Sequence, residues 1–323
     1  MFKRYELHNH TTQSDASITC RQLIDHMEAD GVDCFAITDH NTTSGQPILR
    51  KILADEPERK IRCLYGMEYT TYYGHIVCPV LEQYVPWDSI NRRKPELLFE
   101  ACKKAGAVTG VAHPFSYSDP FARGCRFDME ITDFTNVDYI EIVNNPEPLH
   151  EVNEPGIRWW EELVLRGEHV AACAGMDLHN TDDFSMKFAT YIEGEENGDP
   201  AQDLKKALAA QRTWVSKGML VLWEIDSVSD GASVRFTLHE AKKKGFVPSD
   251  RYILTLKNSS GVKAYDLTSG ELTVPLSEIG KIAVPKLYGT TADLAAQDPP
   301  LEALVCVAPP IIAPPIIAPP IRV

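Results

Sequence analysis

Short apolar runs alternate with amphipathic segments through the first two thirds of the chain. Runs rich in Val, Ile, Ala, Cys and aromatic residues are typical of buried strands, and they occur at residues 5–7, 34–38, 61–65, 76–80, 107–112, 139–143 and 170–174. Helical periodicity predicts helices at residues 19–30, 95–105, 155–166 and 200–211. Alternating strands and helices imply parallel strands joined by right-handed crossovers, and roughly seven such units favour a barrel-like closure.

The pattern changes after residue 218. Short strands separated by Gly, Ser, Asp and Asn turns are predicted at residues 233–239, 252–257, 262–267 and 271–276. We therefore expect a small antiparallel β module over residues 219–300. From Ala308 the sequence repeats Pro-Pro-Ile-Ile-Ala, and paired prolines at this spacing disfavour both a helix and a sheet ladder. The segment 301–323 is accordingly expected to be a disordered tail.

Charge and cysteine content narrow the class of protein. The net charge of −14 argues against binding to nucleic acid or to an anionic membrane, because such surfaces are usually basic. None of the eight cysteines forms a Cys-x-x-Cys pair, which favours free thiols in a reducing compartment. No apolar stretch reaches the roughly 20 residues of a membrane span and no signal peptide is visible. A cytoplasmic location is the resulting expectation.

Five short segments combine histidines with carboxylates. Four of them follow predicted strands directly, and the C-terminal ends of parallel strands are where α/β sheets place their active sites. His75 lies at the start of a run and needs a loop or a reversed strand to point inward. The segments are His-Asn-His-Thr-Thr-Gln-Ser-Asp at 8–15, Thr-Asp-His-Asn at 38–41, Gly-Met-Glu-Tyr-Thr-Thr-Tyr-Tyr-Gly-His at 66–75, Ala-His-Pro at 112–114 and Gly-Met-Asp-Leu-His at 175–179.

This set of residue types points to metal binding. Alternate residues of a strand share a face, so His8 and His10 are placed to bind one ion. A mixture of imidazole and carboxylate ligands suits zinc, manganese or iron better than magnesium or calcium alone. Six histidines, two aspartates and one glutamate are too many for one ion. We therefore expect two or three divalent ions with a bridging carboxylate.

The motifs together resemble those of the polymerase-and-histidinol-phosphatase (PHP) superfamily of metal-dependent phosphoesterases. The resemblance covers residues 1–218 and rests on His-x-His-x-x-x-x-Asp, Thr-Asp-His, Gly-x-Glu, His-Pro and Gly-x-Asp-x-His in the segments above. It implies a distorted (β/α)7 TIM-like barrel for residues 1–218, with Glu68 bridging the ions. The ligands that it implies are His8, His10, Asp15, His40, Glu68, His75, His113, Asp177 and His179.

The resemblance also implies a function. It indicates a phosphoesterase that hydrolyses a small phosphorylated metabolite, a monoester or a cyclic or diester, with a metal-bridged hydroxide. The residues after Glu68 look closer to a subgroup in which some relatives hydrolyse carboxyl esters or carbamates, so that activity is the alternative. A nuclease is disfavoured by the acidic charge, and a non-catalytic metal-binding module by the intact ligand set.

Further residues are candidates for supporting roles. Asp39 could orient the neighbouring His40 or transfer a proton. Arg123 and Arg126 follow His113 and could grip a phosphate, although solvated loop charges are the alternative. Asn144, just after a predicted strand, is a candidate for a polar wall of the site.

Overall fold

The structure is a computed structural model that describes residues 1–118, 123–183, 186–228, 231–241, 243–290 and 299–314. The helices are α1 (Cys20–Ala29), α2 (Gly45–Asp55), α3 (Glu96–Lys104), α4 (Glu154–Arg166), α5 (Pro200–Ala209) and α6 (Leu276–Ile279), and a π-helical turn at Leu149–Asn153 leads into α4. The first strands are β1 (Phe2–Glu6), β2 (Cys34–Ile37), β3 (Arg62–Tyr65), β4 (Met67–Thr71), β5 (Gly74–Val80), β6 (Val108–Val111), β7 (Tyr139–Asn144), β8 (Ala171–Gly175) and β9 (Ala189–Glu193). They are followed by β10 (Thr213–Ser216), β11 (Met219–Val228), β12 (Gly231–Glu240), β13 (Arg251–Asn258), β14 (Gly261–Asp266), β15 (Glu271–Pro275), β16 (Ile282–Thr290), β17 (Leu304–Val307) and β18 (Ile311–Ile312).

The described strands form three sheets. A ten-stranded sheet has the order β14-β13-β16-β17-β10-β9-β1-β2-β3, with β18 paired to β16, and a five-stranded sheet has the order β4-β5-β6-β7-β8. The third sheet is β11-β12-β15. The strands β1, β2 and β3 are parallel, as are β6, β7 and β8. The chain therefore has a mixed α/β fold.

The prediction of a (β/α)7 TIM-like barrel is wrong. Within the described residues the sheets are open, with β3 at an edge of the ten-stranded sheet and β4 at an edge of the five-stranded sheet. Several neighbours are antiparallel, namely β4 with β5, β5 with β6, and β1 with β9. The hairpin between β4 and β5 turns at Tyr72 and Tyr73, and a hairpin needs no crossover helix. Strand and helix therefore do not alternate regularly, as barrel closure would require.

The local signals for the helices are present in the structure. Thr19 caps α1 in a capping box with Gln22, and Asp199 caps α5 by accepting bonds from two backbone N–H groups. Helix α2, which has Gly45 and Pro47 in its first turn, was not predicted. Proline is tolerated in the first turn of a helix, where its missing N–H has no intrahelical partner.

The predicted C-terminal β module is not a separate sheet. Its strands divide between the three-stranded sheet and the ten-stranded sheet, where β13, β14 and β16 connect through β17 to β10. The reason is that Leu304–Val307 is a buried strand that pairs with both β10 and β16. The domain boundaries at 218 and 300 stay a prediction.

The expected disordered tail, 301–323, is ordered in its first part. Besides β17, the residues Ile311 and Ile312 pair with β16. These isoleucines lie between the proline pairs, so their N–H groups are available to a neighbouring strand. The rest of the repeat, residues 315–323, lies outside the described residues.

In the described part of the chain, none of the helices combines the length and apolar character that crossing a bilayer requires.

Candidate metal centre

Nine side chains predicted as ligands meet in one cluster. His8 and His10 follow β1, His40 follows β2, and Glu68 lies at the start of β4. The parallel strands β1, β2, β6 and β8 all contribute residues from their C-terminal ends, as expected for an α/β sheet. Four overlapping groups have ligand atoms within 4.8 Å of one another: His10, Asp15, His40 and His179; His8, His10 and Glu68; His8, His113 and Asp177; and His40, Glu68 and His75.

Glu68 is the centre of the cluster and is fully buried. Its Oε2 atom lies 3.2 Å from Nε2 of His8, 3.5 Å from Nε2 of His10 and 2.9 Å from Nδ1 of His40. Its other oxygen, Oε1, lies 3.1 Å from Nδ1 of His75 and 3.4 Å from Nε2 of His113. One carboxylate thus faces histidines on both of its oxygen atoms, which is the arrangement that a bridging ligand requires.

Asp177 forms a second shared carboxylate. Its Oδ1 atom lies 3.0 Å from Nε2 of His10 and 3.5 Å from Nε2 of His8. Its Oδ2 atom lies 4.0 Å from Nε2 of His113. His8 and His10 are therefore each placed between Glu68 and Asp177.

The outer part of the cluster is more exposed to solvent. The Oδ1 atom of Asp15 lies 3.3 Å from Nε2 of His179 and 3.6 Å from Nε2 of His40. The side chain of Asp15 is 59% exposed, whereas His8 and His10 are fully buried. The cluster consequently has a closed inner part and an open outer part that a small molecule can reach.

The backbone turns sharply at two of these residues. The φ angle is +24° at His113 and +46° at Asp177, and positive values are uncommon for residues other than glycine. Such strained conformations are concentrated at functional sites. His75 reaches the cluster differently, because β5 returns antiparallel to β4 through a hairpin. This is the reversed strand that its position in the sequence required.

Burial and opposite charges act against each other on the pKa values. Burial by itself would raise the pKa of Glu68, but His8 and His75 hold it well below its usual value. Burial would lower the pKa of His113, but Glu68 and Asp177 raise it to about 9. For His10, burial outweighs the carboxylates and the pKa falls below its usual value. The pKa values of His10 and His113 are therefore shifted in opposite directions.

The residues fit a polynuclear metal site. Within the described residues, several atoms of the cluster are buried and make no hydrogen bond, namely Nε2 of His8, both ring nitrogens of His10, Oε2 of Glu68 and Oδ1 of Asp177. Buried polar atoms normally have a partner, and one left without it needs an explanation. Imidazole nitrogens and carboxylate oxygens are the ligands that zinc, manganese and iron prefer, so a converging set of them can hold these ions.

Asp39 is directed away from His40 and towards the loop that carries Asp15. Its Oδ1 atom accepts hydrogen bonds from the backbone N–H of Thr11 at 2.6 Å and from the hydroxyl of Ser14 at 2.8 Å. Its Oδ2 atom accepts the Thr11 hydroxyl at 2.8 Å. The carboxylate thus holds the 11–14 loop, and its assignment as a catalytic residue stays a prediction.

The two arginines flank Cys125, which contacts a residue of the cluster. The carbonyl of Cys125, between them, lies 2.8 Å from Nδ1 of His113. Arg123 is ion-paired with Asp128 at 2.9 Å, while Arg126 is exposed. Their role in phosphate binding stays a prediction.

Sequence reasoning missed Glu141 and Thr70. The Oε2 atom of Glu141 lies 2.9 Å from Nδ1 of His8, and the Thr70 hydroxyl contacts Nδ1 of His40. Glu141 could have been noticed, because it is the one charged residue in the apolar run Tyr-Ile-Glu-Ile-Val at 139–143. Asn144, predicted as a polar wall, donates to Glu141 and to Asp177.

Sequence comparison with known proteins gives a match to part of the chain. No protein-family model matches the chain. An uncharacterized protein from Methanocaldococcus jannaschii is 29% identical over 96 residues, which are 30% of this chain and 52% of that protein. The match thus spans about half the length of that relative.

Solved structures extend the comparison to nearly the whole chain. A candidate metal-dependent phosphoesterase from Bifidobacterium adolescentis is 15% identical with a TM-score of 0.41, over 65% of this chain and 96% of that one. A two-domain protein from Bacteroides vulgatus, which contains a predicted PHP-like metal-dependent phosphoesterase, is 16% identical with a TM-score of 0.54. That match covers 97% of this chain and 95% of the other. At this identity it is the fold that is shared, and this neighbour contains a predicted PHP-like part, which is the superfamily that the motifs of the chain resemble.

Proposed function

We propose that this protein is a metal-dependent phosphoesterase that hydrolyses a small phosphorylated metabolite. The observation that carries the proposal is the sharing of ligands between the overlapping groups. Glu68 and Asp177 each face more than one histidine, so ions bound in neighbouring groups would lie side by side. Adjacent divalent ions polarise a phosphoryl oxygen and lower the pKa of a bound water.

The inner and outer groups of the cluster would have different roles in binding. The inner groups, with His8, His10, Glu68 and His113, are buried and hold their geometry through packing. The outer group has the exposed Asp15 and the partly exposed His179 at the surface, where the substrate would enter. Arg126 is exposed and follows Cys125, whose carbonyl contacts His113, and a guanidinium can bind two phosphate oxygens at once. The acidic chain does not conflict with an anionic substrate, since bound cations reverse the local field.

The test is a comparison of ester classes on the purified full chain. The protein is stripped with a chelator, loaded with Mn²⁺, Zn²⁺ or Fe²⁺, and assayed with p-nitrophenyl phosphate, bis-p-nitrophenyl phosphate, p-nitrophenyl acetate and a p-nitrophenyl carbamate. We expect turnover of a phosphate ester. Turnover confined to the acetate or the carbamate would show instead the ester or carbamate hydrolase.

Variants connect the activity to the cluster. Glu68→Ala removes the carboxylate that five histidines face, so we expect turnover at background level and a lower metal content by elemental analysis. Glu161→Gln is the matched control, because Glu161 is equally buried but pairs with Lys257 and Lys286 rather than with the cluster. Full activity of Glu68→Ala would contradict the proposed site.

A further inference from the structure

We infer that Glu141 is a positioning residue that fixes two ligands of the metal centre at once, His8 directly and Asp177 through Asn144. This inference rests on the proposed function. Its basis is a continuous chain of hydrogen bonds that starts on β7 and ends on residues following β1 and β8.

The first contact joins the two large sheets. Glu141 is buried in β7 of the five-stranded sheet, and its Oε2 atom lies 2.9 Å from Nδ1 of His8, which follows β1 of the ten-stranded sheet. A carboxylate can only accept here, so Nδ1 of His8 carries a proton and donates it. The other ring nitrogen, Nε2, faces Glu68 and Asp177 at 3.2 and 3.5 Å and is the one left to bind a metal. Glu141 thereby selects the tautomer that can bind a metal.

The second contact passes through Asn144. Its Nδ2 atom lies 2.8 Å from Oε1 of Glu141 and 3.3 Å from Oδ2 of Asp177. An amide nitrogen has two N–H groups, so it can donate to both carboxylates. With Oδ2 engaged, Asp177 presents Oδ1 to His10 at 3.0 Å. The orientation of the aspartate is therefore linked to Glu141.

The lack of a side chain at Gly175 leaves room for the Glu141 carboxylate. A Cβ atom on Gly175 would lie 2.2 Å from Oε2 of Glu141 and 2.5 Å from its Cδ. Gly175 pairs with Asn144 across β7 and β8, and the register shifts between Glu141 and Val143. Such an irregularity re-aims a side chain within a strand. The glycine and the shifted register together place the Glu141 carboxylate between His8 and Asn144.

A role confined to folding does not explain these contacts. Glu141 is the only charged residue in the buried strand β7, and a buried carboxylate is unfavourable unless its oxygens are paired. In the described part of the chain, its oxygens bond to His8, a member of the cluster, and to Asn144, which donates to Asp177 of the cluster. Residues that hydrogen-bond to metal-binding histidines typically change metal affinity by 10–100-fold when they are removed.

The test measures metal affinity rather than turnover. Wild type, Glu141→Ala, Glu141→Gln and the control Glu161→Gln are titrated with Mn²⁺ and Zn²⁺ against a chelating dye, and thermal unfolding is followed with and without metal. We expect the dissociation constant to rise about 10–100-fold in Glu141→Ala and less in Glu141→Gln, and to stay unchanged in Glu161→Gln. In the zinc-loaded protein, resonances of ¹⁵N-labelled His8 should show the proton fixed on Nδ1 only when Glu141 is present.

The outcomes separate this inference from the proposed function. If Glu141→Ala binds both metals as tightly as wild type while Glu68→Ala does not, the inference is overturned and the proposed function stands. The inference is also overturned if Glu141→Ala and Glu161→Gln lose affinity equally, since the effect is then general destabilisation. If the wild-type chain binds neither metal, both fail.

Discussion

Replacing Gly175 with Ala is the most direct perturbation of the metal centre that touches none of its ligands. The added Cβ would lie 2.2 Å from Oε2 of Glu141. To reach an ordinary contact of about 3.5 Å, the carboxylate has to retreat by about 1.3 Å. The bond to Nδ1 of His8, now 2.9 Å long, cannot keep its length and direction under such a displacement.

The magnitude follows from the contacts involved. Overpacking a buried site usually costs about 1–3 kcal/mol of unfolding free energy, and the value here should be near 2 kcal/mol because two strands enclose the clash. Metal affinity should fall about 10–100-fold, as expected when the partner of a ligating histidine is displaced. Urea denaturation of the metal-free protein and chelator competition measure these two effects separately.

Two variants test the reasoning. In Gly175→Ala/Glu141→Ala the clash is absent, so the double variant should be as stable as Glu141→Ala alone, a strong non-additivity. Gly110→Ala is the matched steric control, because its Cβ would lie 2.2 Å from the ring of Tyr139 rather than from a carboxylate. It should lose stability and keep metal affinity. A Gly175→Ala protein that binds metal like wild type would refute the argument.

Three further predictions concern pH, a loop and a buried ion pair. In the metal-free protein the pKa of His113 is about 9 rather than 6.5. Its protonation therefore stabilises the fold fully below pH 6.5, and this contribution is lost as pH rises through 9. Thermal unfolding in EDTA should show the loss, and metal affinity measured by chelator competition should rise over the same interval. Asp39→Ala releases the 11–14 loop and should remove the metal bound by the outer group, which contains Asp15, while retaining the inner ones, as elemental analysis at limiting metal would show. Glu161→Ala leaves two lysines without their buried partner and should lower the unfolding free energy in urea by about 3 kcal/mol with metal content unchanged; a loss under about 1 kcal/mol would contradict this.

The local elements and the identity of the clustered residues were accessible from the sequence. An apolar run followed by a histidine or a carboxylate, as at His113 and Asp177, predicts a strand with a functional residue at its end, and the structure has this arrangement. The reason is that burial pattern and capping are local properties, encoded within a few residues. The resemblance in the motifs agrees with the fold shared with the two-domain protein from Bacteroides vulgatus, whereas the barrel that the resemblance implied is wrong.

Only the tertiary structure decided how the strands pair and which polar groups meet. The hairpin at Tyr72 and Tyr73 makes β4 and β5 antiparallel, and a strand from Leu304–Val307 completes the ten-stranded sheet. Likewise, Glu141 contacts His8, which lies 133 residues away in the chain, and Asp39 accepts a hydrogen bond from Thr11 rather than contacting its neighbour His40. Except in the hairpin, whose strands are adjacent in the chain, these pairings and hydrogen bonds join distant segments, and no short window of the sequence contains both partners.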